Sequence, residues 1–113
     1  MNNPSFDQVS NNAHTQSLTG KQISYLRGLA HHRKVVVIVG NEGTSDSVVA
    51  EINGALNHLE LIKIKLPPAK KVEQQKLLEQ ICSKTQASKI QLIGRIGVIY
   101  RPAETPNVQL PAI

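Results

Sequence analysis

Val35-Val36-Val37-Ile38-Val39-Gly40-Asn41-Glu42-Gly43-Thr44-Ser45-Asp46 decides the architecture of this 113-residue chain. Its first five residues are all β-branched and too few for a helix, so they predict a strand buried on both faces and central in its sheet. The glycines at 40 and 43 break that strand, and Thr44, Ser45 or Asp46 suits the N-cap of a following helix. A glycine loop between strand and helix brings backbone N–H groups and the positive helix end to one place, where a phosphate can approach.

On the C-terminal side, Val48, Ile52, Ala55, Leu56 and Leu59 form one apolar stripe of a helix, with Gly54 as its weak point. Residues 61–66 then alternate: Ile62, Ile64 and Leu66 face one way, while Leu61, Lys63 and Lys65 face the other, giving a strand with one basic face. Pro67-Pro68 ends it. A third helix spans about residues 70–86, with Leu78, Ile81 and Cys82 turned inward, and residues 89–93 form a third strand. Residues 94–97, Gly-Arg-Ile-Gly, read as the turn into a last strand at 98–101.

On the N-terminal side, Thr19 and Gln22 have capping-box spacing and Leu18 and Ile23 staple spacing, so a helix starts there. Ile23, Leu26, Leu29 and Ala30 share its apolar face, and the run His31-His32-Arg33-Lys34 suits its negative C-terminal end. The order is α-β-α-β-α-β-β: an α/β domain with a mixed four-stranded sheet and packed helices. Helical crossovers imply parallel pairing wherever the first three strands are neighbours, and the final hairpin adds an antiparallel strand. The ordered domain covers residues 18–102. Residues 1–17, rich in Asn, Ser and Gln, and the tail 103–113, with Pro106 and Pro111, are expected to be flexible ends.

Composition narrows the function. Thirteen Lys and Arg against eight Asp and Glu give a net charge of +5, which favours polyanionic partners. With no Trp, one Phe and two Tyr, the core must be aliphatic and few aromatic platforms remain for stacking bases. The single Cys82 excludes an intramolecular disulfide and a cysteine-based zinc cluster, and fits a reducing cytoplasm. Residues 1–12 lack a charged leader followed by an apolar run, so no signal peptide is expected, and no apolar run approaches the ~20 residues of a spanning helix.

No catalytic or cofactor motif stands out. A P-loop needs four residues between its glycines and then Lys-Ser or Lys-Thr, whereas Gly43 is followed by Thr44-Ser45; the three-glycine dinucleotide fingerprint is also missing. His31 and His32 diverge by ~100° on a helix and cannot readily share a metal. Cys82 lies on an apolar helix face, as a buried thiol would. His14 falls in the N-terminal segment and His58 near a helix end, and neither supports a catalytic role. The candidate binding residues are therefore the loop Gly40, Asn41, Glu42 and Gly43, with Lys21, Lys34, Lys63, Lys65 and Arg95 as phosphate contacts. G-x-x-G spacing alone is common: seven glycines in 113 residues produce one by chance in about four chains of ten.

A longer ordered series carries more. Leu18-Thr19-Gly20-Lys21-Gln22, Leu26-Arg27-Gly28-Leu29-Ala30-His31, and Val39 through Gly43 are followed by Val49-Ala50-Glu51-Ile52, Ala55-Leu56, His58, and residues 60–65. Gln91-Leu92-Ile93-Gly94 and Tyr100-Arg101-Pro102 complete it. This series resembles the YhbY or CRM family of RNA-binding domains over residues 18–102. The resemblance implies a fold similar to the C-terminal domain of bacterial translation initiation factor three, with an RNA-binding loop falling on residues 40–43 and a basic surface including Lys21, Lys34, Lys63 and Lys65. Stand-alone bacterial members are linked to precursors of the large ribosomal subunit, and plant relatives carry such domains in intron-splicing factors; one copy in a short chain fits the former. Glu42 departs from the pattern by placing a carboxylate within the loop. The function expected is ribosomal-RNA binding that assists ribosome assembly, without catalysis, cofactor or membrane. The alternative is a protein-interaction module on a ribosomal or translation protein. An enzyme acting on a small phosphorylated ligand stands third.

Overall fold

The computed structural model describes residues 17–112. The elements are α1 (Gly20–Ala30), β1 (Val35–Ile38), α2 (Asp46–Leu59), β2 (Leu61–Lys65), α3 (Lys71–Thr85), β3 (Ser88–Ile93) and β4 (Ile96–Tyr100). The single mixed α/β domain and its α-β-α-β-α-β-β order follow the sequence pattern. The expected flexible segment 1–17 lies, apart from Ser17, outside the described residues.

Local signals set the helix starts. The Thr19 hydroxyl accepts from the Gln22 N–H and the Gln22 side-chain oxygen accepts from the Thr19 N–H, both at 3.1 Å. This reciprocal cap contributes about 1 kcal/mol. Ser45 supplies the cap of α2, its hydroxyl accepting from Val48 N–H at 3.3 Å.

The sheet order is β1-β2-β4-β3. β1 runs parallel to β2, while β4 runs antiparallel to both β2 and β3. β4 thus inserts between the second and third strands, leaving β3 parallel to β2 in direction but not paired with it. Consequently the C-terminal ends of β1, β2 and β3 share one rim with the start of β4.

The alternation in β2 divides the core in two. Ile62, Ile64 and Leu66 join Val37, Val39, Ile52, Leu56, Leu78, Ile81 and Ile99 on the face covered by α2 and α3. Leu61 joins Leu26, Ala30, Ile90, Val98 and Tyr100 on the face covered by α1.

Two expectations are corrected. β1 is an edge strand, not a central one: Val37 is 1% exposed, but Val36 is 42% and Ile38 70% exposed. The reason is coverage, because α1 packs on β2 and β3 and leaves the outer half of its face, including β1, open. Next, the β3–β4 turn is only Gly94-Arg95, with Gly94 at φ +57°. Gly97 belongs to β4 and is buried; a Cβ there would stand 3.0 Å from a methyl of Leu78, so this glycine serves close packing of α3 on the sheet.

The tail also makes contacts with the domain. Residues 103–112 form no regular element, yet Val108 and Leu110 pack on the α1 side of the core. The buried Glu60 carboxylate accepts backbone N–H bonds from Ala103 at 2.6 Å, Asn107 at 2.9 Å and Val108 at 2.7 Å. The Gln22 side chain also donates to the Pro111 carbonyl at 3.1 Å. These bonds join the tail to α1 and to the end of α2. Glu60 takes a positive φ of 65° at the end of α2, a strain offset by these bonds and by Arg33, whose guanidinium donates to the carbonyls of Leu59 and Leu61.

Candidate nucleic-acid interface

The glycine loop stands on the rim where three strands end. Its turn is closed by the Gly43 N–H donating to the Gly40 carbonyl at 3.0 Å, so that amide is already committed. The two glycines have different duties. Gly43 takes φ +67°, which the backbone needs, whereas a Cβ at Gly40, which is not in that region, would meet only the Glu42 carboxylate, at 3.2 Å. The Glu42 side chain therefore folds back over Gly40. With Asp46 in the first turn of α2, two carboxylates stand at the loop and the helix start that follows it, and positive charge must come from the surroundings.

Those surroundings are stitched to the loop by backbone. Val39 N–H donates to the Lys65 carbonyl at 2.8 Å, and Leu66 N–H donates to the Arg95 carbonyl at 2.7 Å. Arg95 returns its Nε–H to the Leu66 carbonyl at 2.8 Å, leaving the outer guanidinium nitrogens for other contacts. Lys65 and Arg95 thus flank the loop on one side. On the other, Lys84 in the last turn of α3 reaches the Thr44 carbonyl at 3.5 Å.

Registry extends this basic rim over the open sheet face. Lys63 lies opposite Val98, which lies opposite Gln91; in the next row, Ile38, Lys65, Ile96 and Ile93 follow one another across β1, β2, β4 and β3. Arg27 in the last turn of α1 and His31, the C-cap residue four positions on, overhang Lys63 and line with it an open depression of about 330 Å³ whose floor is Ile93, Ile96 and Val98.

Two of the expected basic contacts lie elsewhere. Lys34 precedes β1 at the opposite rim, six residues from Gly40 and so about 20 Å away along an extended chain. It borders a separate apolar groove with Arg33, Val36, His58 and Leu59. Lys21 lies in the first turn of α1, about 9 Å along the axis from Arg27, next to Gln22 and its bond to the tail. The structure brings together residues 40–43, Lys63, Lys65 and Arg95, and adds Arg27, His31 and Lys84. The i,i+4 pair Arg27 and His31 was visible in sequence as one helix stripe, but nothing local said which strand it faced. Lys84 gave no signal beyond an exposed helical position.

Other polar groups are structural. Arg101, in the Tyr100-Arg101-Pro102 stretch, donates to the side chains of Asn53 and Asn57 at 2.8 and 2.7 Å and to the Thr85 carbonyl at 2.6 Å, tying β4 to α2 and α3. Cys82 is buried, and desolvation pushes its thiol up to about 12, far from a nucleophile's range. Among the described residues no group of three or more His, Cys, Asp or Glu is placed to hold a metal ion, and no helix is long and apolar enough to cross a membrane.

The CRS1 / YhbY (CRM) domain model matches residues 18–101, nearly the whole described fold. The chain belongs to the CRM domain family. It is 45% identical over 95 residues to an RNA-binding protein of Haemophilus influenzae, covering 84% of this chain and 96% of that one. A probable RNA-binding protein of Pseudomonas aeruginosa is 36% identical over 97 residues, covering 86% and 93%. The fold matches the solution structure of a Staphylococcus aureus hypothetical protein, described there as a candidate RNA-binding protein. That match has a TM-score of 0.74 and 33% identity, covering 84% of this chain and all of that one. CRM membership and the shared fold agree with the resemblance carried by residues 18–102.

Proposed function

We propose that this CRM domain binds structured RNA through the sheet rim and the open half of the sheet, and that its RNA is ribosomal, within precursors of the large subunit whose assembly it assists. The carrying observation is the convergence of Lys63 and Lys65, on the part of the sheet face that α1 leaves open, with Arg27 at its edge and Arg95 at the rim beside the glycine loop. Phosphates would be neutralised by these cations, while loop residues Gly40, Asn41 and Gly43 set the register of the backbone. Glu42 and Asp46 turn the phosphates away from the centre of the loop and toward its flanks. Binding of this kind needs no covalent chemistry. The RNA-binding character of the relatives supports the partner class; the ribosomal assignment follows the family resemblance.

The test is a set of gel-shift titrations of the full chain on large-subunit ribosomal RNA at several salt concentrations. Each lost phosphate contact lowers the slope of log K against log salt by about one, so Lys63→Ala with Lys65→Ala should lower it by about two. Undiminished binding and an unchanged slope would remove both lysines from the interface. A nuclease-treated chain that keeps a translation protein but has no affinity for RNA would replace this reading with protein docking.

A further inference from the structure

The depression under α1 is built for more than a phosphate. Its floor of Ile93, Ile96 and Val98 is aliphatic, its walls carry Arg27, His31 and Lys63, and Gln91 alone brings a side-chain amide. None of these lining residues is acidic. We propose that, on the RNA-binding reading above, this depression seats one unpaired nucleotide of the bound RNA, with its base on the aliphatic floor and its edge read by Gln91.

Three features carry this. A duplex presents phosphate and ribose outward, and neither gains from an apolar floor, whereas the flat face of an unpaired base does. The volume of about 330 Å³ stands at the lower end of the range for small-ligand sites, which suits one nucleoside and not a stacked run. Gln91 presents a donor and an acceptor side by side, the pattern that pairs with a base edge, and it stands two strands from Lys63 in the same row, about 10 Å away. Lys63 can hold a phosphate while Gln91 meets the base, and Arg27 overhangs the other flank.

Fluorescence anisotropy on the full chain tests this with two RNA hairpins that differ only in a single-nucleotide bulge, made with each of the four bases. The bulged hairpin should bind about tenfold more tightly than the unbulged one, the yield of one good base contact, with unequal affinities among the four bases. Gln91→Leu should level the four bases and leave the affinity for the unbulged hairpin unchanged. Gln91→Glu, nearly the same shape, should bring the bulged hairpin down to the unbulged one or below it. Equal binding of bulged and unbulged hairpins by the unaltered protein, or a base preference that survives both substitutions, overturns the nucleotide site while leaving RNA binding standing. No salt-sensitive affinity for either hairpin overturns both.

Discussion

Replacing Glu60 by Gln tests whether the C-terminal tail is held by a buried charge. One carboxylate oxygen accepts from Asn107 and Val108, and the other from Ala103. The Gln oxygen can take over the first position and keep two bonds, but its NH2 then faces the Ala103 N–H, donor against donor. A hydrogen bond to a charged group contributes about 1.5–3 kcal/mol, and the two bonds retained lose their charge assistance, so Glu60→Gln should cost about 2–3 kcal/mol. For a domain of this size that lowers Tm by about 10–15 °C, measured by thermal circular dichroism at pH 7. Acid supplies a second arm. Burial alone would raise the Glu60 carboxyl, but the three backbone N–H groups and the charge of Arg33 bring it below the usual carboxylate value of 4.5. A group depressed in the folded state stabilises fully above its unfolded value and loses that contribution as pH falls through its folded one. The gap between the two proteins should therefore be widest at neutral pH and shrink below about pH 4. A Tm within about 2 °C of the unaltered protein at pH 7, or a gap that persists in acid, would refute the account.

The two loop glycines should separate fold from binding: Gly43→Ala forces a side chain into positive φ and should cost about 1 kcal/mol in urea unfolding. Gly40→Ala should leave stability nearly unchanged, because its new methyl displaces only the Glu42 carboxylate, and under the proposed binding mode it should weaken RNA affinity. Arg101→Lys keeps the charge but not the planar fork that spans Asn53, Asn57 and Thr85, and should cost about 2 kcal/mol in the same assay with RNA affinity preserved. Cys82 should resist alkylation at pH 8 in the folded protein and react readily in denaturant, as mass spectrometry would record; rapid labelling of the native chain would contradict its burial.

The elements and most of the loop were legible from local chemistry. Thr19 and Gln22 announced a cap, the alternation of residues 61–66 divided two faces, and glycine between a β-branched run and the candidate caps Thr44, Ser45 and Asp46 located the turn, because each signal is decided by neighbours in the chain. The five-residue run at 35–39 misled about burial for the same reason. A β-branched run records strand propensity, but whether a helix covers its second face depends on where α1 lands, and α1 lands on β2 and β3.

For the candidate site, the sequence determined the cast and the tertiary structure its grouping. Lys63 and Lys65 were placed on one strand face by period two alone, and the glycine loop by its residue types. Only strand order could insert β4 between β2 and β3, bring Arg95 to the end of β2 and set Gln91 in a row with Lys63. Only the packed fold could show that Glu60 anchors a proline-containing tail, since its three N–H partners lie more than forty residues away in sequence. Contacts at such separations are fixed by the closure of the whole domain, and no periodicity within one segment encodes them.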